Sequence, residues 1–374
     1  MNLMKQREAT NQSWCSTRGA TQVFSMQASV KEHIARLKAY VPGLQPEEGQ
    51  EVLKLNTNEN PYPPSPWVEE AIREESSDSL RLYPSPTSQR LRETAAGLYG
   101  LPPDQILCGN GSDEILGILL RTFTSRGDAI GYYEPSYSYY KTLGAIHDLV
   151  LLPTPLGENP LDPPFPARRD VKLFFLANPN SPMGFSLEPE FVARLARHME
   201  GILVVDEAYA DFAKGNCISL IREIPNVIVT RTLSKSYSLA GLRVGFAFGA
   251  KRWIEQMDKV RDHYNLNRVA QAAACVALFD QSHFHENRDR ILRTRERFAR
   301  ALQDMGIESF PSEANFVFAR LASAEAAAQV FDKLTERGIY VRYFPQDGLD
   351  RGLRISIGTD DEMDRLLEQL RTLV

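Results

Sequence analysis

The middle of this chain alternates continuous apolar runs with amphipathic segments, a pattern that few folds can accommodate. Residues 171–177 (VKLFFLA), 202–206 (ILVVD) and 226–233 (NVIVTRTL) are rich in aromatic or β-branched residues, as expected of buried strands. Residues 188–200 (EPEFVARLARHME), between the first two runs, have the apolar spacing of a helix. The alternation predicts an α/β fold with a mostly parallel sheet and helices on both faces.

Polar side chains follow these runs where the predicted strands end. Asn178 and Asn180 follow the first run, Asp206 ends the second, and Lys235 lies just after the third. In open parallel sheets, ligands bind in the crevice outside the carboxyl ends of the strands. We therefore expect an amide, a carboxylate and an amine to meet at one edge of the sheet.

The C-terminal third has a different order of elements. Helical segments are separated by the short runs FVFARL (316–321), YVRYF (340–344) and LRISIG (353–358). This order predicts a smaller α+β domain of few strands with helices on one face. Residues 1–28 are polar and without periodicity, and we expect them to be a disordered extension.

The composition argues against nucleic-acid, membrane and metal-binding proteins. A net charge of −5 gives no attraction to nucleic acid or an anionic membrane. No run approaches the ~20 apolar residues of a membrane span. The four cysteines are scattered, and His283 and His285 would point to different faces of a helix. We expect a cytoplasmic protein without a metal site.

Two features of the sequence could bind an anion. In GNGSDE (109–114), the glycines free the backbone, and a helix that begins near Ser112 offers unpaired N–H groups. Arg243 could grip a phosphate, helped by the hydroxyl groups of Thr232 and Ser234. Each feature alone has an ordinary alternative, which is a helix N-cap for the first and a surface arginine for the second. Together they predict a phosphate-binding cradle.

Asp206 and Lys235 need chemical partners if they are as buried as their apolar neighbours indicate. A buried carboxylate requires a cation or a hydrogen-bond donor, and capping the next helix is the simpler alternative to binding a ligand. A lysine is buried when its charge is paired or when its amine is used chemically, for example in a covalent bond to an aldehyde. A phosphate, a protonated ring nitrogen and an aldehyde are the three binding features of pyridoxal phosphate.

A set of motifs, taken in order and spacing, is similar to one known family. The motifs are LNTNENPYPPSP (55–66), LRLYPSPTSQRLR (80–92), ILCGNGSDEIL (106–116), EPSYSYY (134–140), LANPNSPMG (176–184), VVDEAYADF (204–212), RTLSKSYSLAGLRVG (231–245), YNLNRVAQAA (264–273) and LRISIGT (353–359). Beyond about residue 29 the chain resembles the class I/II aminotransferases, which are fold-type I pyridoxal-phosphate enzymes. The resemblance implies an N-terminal arm (29–60) packing with the small domain, a large cofactor-binding domain (61–265) and a small domain (266–374).

The resemblance implies roles for residues at the predicted sheet edge. Lys235 would hold the cofactor covalently and carry a proton between the substrate and the cofactor. Asp206 would keep the ring nitrogen protonated, Tyr209 would donate to the ring hydroxyl, and Tyr137 would stack on the ring face. Tyr83 would reach the cofactor phosphate from the other subunit, so a homodimer is expected. The remaining phosphate contacts implied are the backbone of Gly111, Ser112 and Asp113 and the side chains of Thr232, Ser234 and Arg243.

One motif departs from the family pattern. The family usually has NPNNPTG, whereas NPNSPMG here puts Ser181 in the place of the asparagine that contacts the ring hydroxyl. Met183 also replaces the usual threonine. Either Ser181 makes the contact, or Asn178 or Asn180 takes it over. We expect an asparagine to do so.

The resemblance also implies the substrate contacts. Arg354 matches an arginine that binds either the carboxylate of glutamate or a substrate phosphate, and Arg342 matches a second phosphate-binding arginine. Tyr62 would line the substrate pocket. Both arginines together favour a phosphorylated substrate, although Arg342 could instead be a solvated residue of an edge strand. The leading expectation is amino-group exchange between L-glutamate and a phosphorylated imidazole ketone in histidine biosynthesis.

Two other functions are compatible with these residues. Another aminotransferase or a threonine-phosphate decarboxylase would share the cofactor residues and differ in the substrate pocket. The alternative from another class is a non-catalytic binding protein that has kept the fold. Chemically competent residues at positions 206 and 235 argue against that alternative.

Overall fold

The computed structural model describes residues 30–38, 43–346 and 348–374, so the predicted extension (1–28) lies outside the described residues. The helices are α1 (Glu32–Ala35), α2 (Pro66–Glu75), α3 (Gln89–Tyr99), α4 (Ser112–Phe123), α5 (Tyr139–Ile146), α6 (Pro189–His198), α7 (Lys251–Val260), α8 (Arg268–Phe279), α9 (Gln281–Asp304), α10 (Ala324–Glu336) and α11 (Asp360–Leu370). The strands are β1 (Leu53–Lys54), β2 (Ile106–Gly109), β3 (Ala129–Glu134), β4 (Val150–Pro155), β5 (Leu173–Ala177), β6 (Ile202–Asp206), β7 (Val227–Thr232), β8 (Gly245–Gly249), β9 (Glu308–Ser309), β10 (Phe316–Arg320), β11 (Ile339–Tyr340), β12 (Arg342–Tyr343) and β13 (Gly352–Ser356).

A seven-stranded sheet forms the centre of the larger part of the molecule. Its strand order is β2-β8-β7-β6-β5-β3-β4. The pairs from β7 to β4 are parallel, whereas β8 runs antiparallel to both β7 and β2. The predicted α/β fold with a mostly parallel sheet is therefore confirmed.

Helices cover both faces of this sheet because each buried strand sends alternate side chains to opposite faces. On one face, Phe174 and Leu176 of β5 belong to the same apolar core as residues of α3, α6 and α8. On the other face, Leu173 and Phe175 pack with residues of α4, α5 and α7. The helices cover the two faces, so the carboxyl ends of the parallel strands form a separate side of the sheet, which we call its open edge.

A four-stranded antiparallel sheet, ordered β12-β13-β10-β9, forms the centre of the C-terminal part. Val317 and Ala319 of β10 and Ile355 of β13 face a core made with α9, α10 and α11. The alternate residues on the same strands, Phe318 and Arg354, are directly opposite each other and face away from that core. The predicted smaller α+β unit with helices on one face is confirmed in this architecture.

The chain before α2 is joined to the C-terminal part. Strand β1 pairs in parallel with β11, with Leu53 opposite Ile339. Helix α8, just after the predicted domain boundary at residue 265, packs against α2 and α3. The domain boundaries themselves stay predictions.

A buried charged cluster lies at the carboxyl ends of β6 and β7. The Arg231 guanidinium donates to Glu207 Oε2 from Nε (2.9 Å) and to Asp211 Oδ1 (2.6 Å). Asp211 also accepts a hydrogen bond from the Ser236 hydroxyl. Since Asp206 and Thr230 are partners one residue earlier, strand alternation places this cluster on the opposite side of the sheet from them. The cluster ties the chain after β6 to the chain after β7.

Within the three described ranges, no helix is both long enough and apolar enough to cross a membrane. No group of three or more histidine, cysteine, aspartate or glutamate side chains is arranged for a metal ion in that part of the chain. Cys108, Cys217 and Cys275 are buried and unpaired.

Candidate active site

The open edge of the seven-stranded sheet brings together the polar residues that follow β5, β6 and β7. Ala177 is the partner of Asp206, and Asp206 is the partner of Thr230. The Asn178 N–H extends the ladder by donating to the Asp206 carbonyl (2.9 Å). The predicted convergence of the strand ends on one edge is present in the structure.

Asp206 is a buried carboxylate, 5% exposed, with a hydrogen-bond donor on each of its oxygens. Oδ2 accepts from the Tyr140 hydroxyl (2.8 Å) and Oδ1 from the Thr230 hydroxyl (3.1 Å). Burial raises its pKa to about 6, and these two hydrogen bonds oppose part of that rise. A nearby cation would hold this carboxylate in its charged form.

Two tyrosines wall the space beside Asp206. Tyr140 is buried, stacks on Phe175 (4.9 Å between ring centroids) and meets the Tyr137 ring edge to face (5.6 Å). Burial raises the pKa of the Tyr137 phenol, and the neighbouring Asp113 adds to the rise. Its hydroxyl donates to Asp113 Oδ1 (3.1 Å). The sequence predicted Tyr137 here but missed Tyr140, whose only signal is its place in the EPSYSYY motif.

The residues predicted to form a phosphate cradle lie around Arg243. Its guanidinium donates to the Ser234 hydroxyl (3.2 Å) and to Asp113 Oδ2 (3.3 Å). The hydroxyl groups of Ser234 and Thr232 are 2.9 Å apart. Gly111 lies beneath the guanidinium with a φ of +84°, and a Cβ there would be 2.5 Å from Arg243 Nη2. Only glycine fits this position without displacing the arginine.

The first turn of α4 supplies backbone donors to the cradle. Ser112 and Asp113 are the first two residues of the helix, and their N–H groups have no acceptor within it. The Gly111 N–H donates to the Gly109 carbonyl (2.9 Å) instead. A cationic guanidinium, hydroxyl groups and a helix N-terminus are groups that bind phosphate in proteins, and the phosphate site here stays a prediction.

Lys235 and Tyr209 are reached by a segment from the start of the chain. Lys235 Nζ donates to the Thr57 carbonyl (3.0 Å), and Asn60 Nδ2 donates to the Lys235 carbonyl (3.0 Å). Asn58 Nδ2 donates to the Tyr209 hydroxyl (2.9 Å). Sequence reasoning missed these partners, although all three belong to the NTNEN stretch of a motif that carried the resemblance.

The asparagines after β5 have backbone partners. The Asn178 amide pairs with Leu187, accepting from its N–H (2.7 Å) and donating to its carbonyl (3.0 Å). Asn180 Nδ2 donates to the Pro135 carbonyl (3.1 Å). The Ser181 hydroxyl accepts from Arg354 Nη1 (3.1 Å). Which of these residues contacts a ring hydroxyl stays a prediction, and the structure adds that Ser181 faces Arg354.

Arg342 and Arg354 are direct cross-strand partners on β12 and β13. Their guanidinium groups lie over the Phe344 ring at 5.7 and 5.6 Å from its centroid. Arg354 Nη2 also donates to the Asn56 carbonyl (3.0 Å), beside the segment that contacts Lys235. Two adjacent guanidinium groups at the junction of the two sheets can donate hydrogen bonds to one anion together.

Two predicted residues have other surroundings. Tyr83 is 77% exposed and stacks on Tyr264 with 4.4 Å between ring centroids. Tyr62 is buried beneath the Arg290 guanidinium, 3.8 Å from the ring centroid. It belongs to the apolar core against which Tyr209 packs.

The donor set fits pyridoxal phosphate as the sequence predicts. Asp206 is a buried acceptor for a protonated ring nitrogen, and Lys235 supplies a primary amine at the same sheet edge. Tyr137 offers an aromatic face, and the turn at Gly111 with Arg243 offers the phosphate cradle. The arrangement can therefore hold a phosphorylated ring aldehyde next to a pair of arginines. The individual roles stay predictions.

Comparisons with known proteins agree on one family. Residues 50–370 match the family described as aminotransferase class I and II. A histidinol-phosphate aminotransferase of Syntrophotalea carbinolica is 49% identical over 91% of this chain and 98% of its own length. One from Geotalea uraniireducens is 48% identical over 92% of this chain and 99% of its own. The crystal structure of histidinol-phosphate aminotransferase from Sinorhizobium meliloti, in complex with pyridoxal-5'-phosphate, superposes with a TM-score of 0.82 at 29% identity, covering 94% of this chain and 100% of that one.

The raised pKa of Asp206 predicts a pH-dependent effect of Asp206→Asn on the cofactor-free protein. The folded carboxyl titrates near 6 and the unfolded one near its ordinary value of 3.8, so folded protein binds more protons between these values. The free energy of unfolding therefore falls as pH rises through this window. Asparagine does not titrate, so we expect the free energy of unfolding of the variant to gain roughly 1–3 kcal/mol relative to wild type between pH 4 and pH 7.

Urea unfolding of both proteins at several pH values measures this difference. Asp162→Asn is the control, because Asp162 is an exposed aspartate outside the strands and helices. A difference in unfolding free energy between wild type and Asp206→Asn that does not change with pH would contradict the raised pKa of Asp206.

Proposed function

The chain belongs to the class I and II aminotransferases, enzymes that work with pyridoxal 5'-phosphate, and we propose that it acts on histidinol phosphate. The reaction transfers the amino group of histidinol phosphate to 2-oxoglutarate and gives imidazole acetol phosphate and L-glutamate, a step of histidine biosynthesis. The names of the relatives at nearly half identity support this substrate. The observation that carries the proposal is the pair formed by Arg342 and Arg354 at the junction of the sheets.

The residues of the sheet edge would hold the cofactor and move the proton. When bound, pyridoxal phosphate supplies a ring that accepts the electrons left when the α-hydrogen of the amine is removed. Asp206 would stay ionised against the ring nitrogen, held by Tyr140 and Thr230. Lys235 would bond to the aldehyde carbon with loss of water, and the substrate amine would displace it from that carbon. The freed Lys235 amine would then take the α-proton of the substrate and deliver it to the former aldehyde carbon of the cofactor. Tyr209 would donate to the ring hydroxyl while accepting from Asn58.

The cradle would fix the phosphate end. Arg243 would bind the phosphate with charge-assisted hydrogen bonds, beside Ser234 and Thr232 and above the N–H groups of Ser112 and Asp113. Tyr137, at the wall of the site, would cover the ring face. These contacts would keep the ring in one orientation with its aldehyde carbon toward Lys235.

The arginine pair favours a phosphorylated substrate over a plain amino acid. Arg342 and Arg354 stand opposite each other on neighbouring strands, so they present two guanidinium groups side by side. A phosphate carries up to two negative charges and can accept hydrogen bonds from both guanidinium groups. Glutamate would use Arg354, whose guanidinium is held by Ser181 and by the Asn56 carbonyl.

We also propose a homodimer, supported by an apolar surface around Tyr83. Leu80, Leu82, Tyr83 and Tyr264 are exposed there and border a groove of about 350 Å³. A second subunit covering this surface would bury these side chains and could place Tyr83 at the phosphate of its partner. A cytoplasmic location stays part of the same proposal.

Arg342→Gln should separate the two half-reactions. Loss of one charge-assisted contact to the substrate phosphate should lower kcat/KM for histidinol phosphate by ~10- to 100-fold. The half-reaction with L-glutamate should change by less than about threefold, because it uses Arg354. Single-turnover absorbance changes with each amine measure both values.

The matched control for this experiment is Arg320→Gln. Arg320 lies on the same sheet with its guanidinium over Phe310. Its replacement by glutamine should leave both half-reactions unchanged. Equal losses with glutamate and histidinol phosphate in Arg342→Gln would contradict a phosphate-binding role for this residue. No reaction of wild-type enzyme with histidinol phosphate would remove the substrate proposal.

Mixed subunits test whether the active site is shared. Lys235→Ala and Tyr83→Ala each damage every site of a homodimer, but a hybrid dimer has one site with both residues intact if Tyr83 serves its partner. Mixing the two variants after dissociation should therefore give more activity than their sum. Mixing Lys235→Ala with Arg243→Ala should give no gain, because both changes damage the site of their own subunit. No gain in the first mixture would contradict the shared site.

A further inference from the structure

The turn before α4 is held from below by a glutamate and an asparagine. Glu114, the third residue of α4, turns back so that Oε2 accepts a hydrogen bond from the Asn110 N–H. The same oxygen accepts from Asn265 Nδ2 (2.8 Å). Asn265 Nδ2 donates as well to the Cys108 carbonyl on β2 (3.1 Å). One amide thus joins the end of β2 to the first turn of the helix.

Asn265 is in turn hydrogen-bonded to Arg261, which belongs to a group of ion pairs. Arg261 Nη1 donates to the Asn265 side-chain oxygen (3.5 Å) and to the His263 carbonyl (3.2 Å). Arg261 Nε binds Asp258 (2.8 Å), which the buried Arg92 also grips with two hydrogen bonds of 2.7 and 2.9 Å. Burial would raise the pKa of Asp258, but Arg92 and Arg261 hold it below its ordinary value. The support beneath the turn is therefore anchored on α3 and α7.

Glycines make this close packing possible. A Cβ at Gly109 would lie 2.6 Å from the Ile115 side chain and 3.2 Å from Glu114 Oε2. A Cβ at Gly245 would lie 2.6 Å from the Ser112 nitrogen, at the start of the helix. The backbone of the turn is thus enclosed between β8 on one side and Glu114 on the other.

We propose that Glu114 and Asn265 are positioning residues for the phosphate-binding turn. They would hold Asn110 so that the N–H groups of Ser112 and Asp113 converge on the cofactor phosphate. The hydrogen bonds from Asn110 and Asn265 also hold the Glu114 carboxylate beneath the turn. There it does not compete with the phosphate for the N–H groups of the first helical turn. This inference rests on the proposed function, because it assumes that the cofactor phosphate binds in the cradle.

The test compares pyridoxal phosphate with pyridoxal, which lacks the phosphate. Dissociation constants are measured by absorbance titration for the whole cofactor-free protein and its variants. In Glu114→Ala and Asn265→Ala, affinity for pyridoxal phosphate should fall about tenfold or more. The lost hydrogen bonds would no longer hold in place the N–H groups that bind the charged phosphate. Affinity for pyridoxal should change by less than about threefold, because the ring contacts are intact.

Glu114→Gln separates positioning from charge. Both hydrogen bonds in the structure go to one oxygen, Oε2, so the single amide oxygen of glutamine can accept both. This variant should therefore keep affinity for pyridoxal phosphate within about threefold of wild type. Asn226→Ala is the control for general destabilisation, since Asn226 Nδ2 bonds the Ala196 and Gly201 carbonyls far from the cradle. It should not change the preference for the phosphorylated form.

The possible outcomes distinguish this inference from the function beneath it. Equal losses for pyridoxal and pyridoxal phosphate in Glu114→Ala or Asn265→Ala would overturn the positioning role. A Glu114→Gln variant as weak as Glu114→Ala would overturn it as well. A wild-type protein with no preference for pyridoxal phosphate over pyridoxal would instead contradict the phosphate site, and with it the proposed function.

Discussion

The register between β6 and β7 is the constraint on which the site depends. With Asp206 opposite Thr230, alternate side chains are sorted into two groups on opposite sides of the sheet. Asp206 and the Thr230 hydroxyl face one side, where Tyr140 completes the hydrogen bonding. Glu207 and Arg231 face the other, where they form a buried ion pair. A slip of β6 by one residue would exchange Asp206 with Glu207 and leave charges buried without partners on both sides.

The buried cluster extends this constraint into the loops after the strands. Arg231 binds Asp211 as well as Glu207, and Asp211 accepts from Ser236, the neighbour of Lys235. Tyr209 lies two residues before Asp211 on the same loop. The buried cluster therefore sets the distance between Tyr209 and Lys235. The Asn60 amide adds a further contact by donating to the Lys235 carbonyl.

Much of this could be predicted from the sequence because local patterns carry it. The apolar runs ending at Asp206 and before Lys235 predicted β6 and β7, and the sheet edge followed from their parallel order. Strands β4 and β8 were missed, since Val150–Pro155 is partly exposed and contains prolines, and Gly245–Gly249 begins and ends with glycine. The partners of Asn58 could not be predicted from any local pattern. Its N–H donates to the Ser356 hydroxyl, 298 residues away, and its side chain reaches Tyr209 on the loop after β6.

The proposed chemistry requires that Lys235 bonds covalently to the aldehyde of pyridoxal phosphate. The most direct measurement is to reduce the holoenzyme with borohydride, digest it, and locate the modified lysine by mass spectrometry. We predict a single modified peptide that carries the phosphopyridoxyl group on Lys235. A label on another lysine, or an unlabelled protein after incubation with the cofactor, would contradict it.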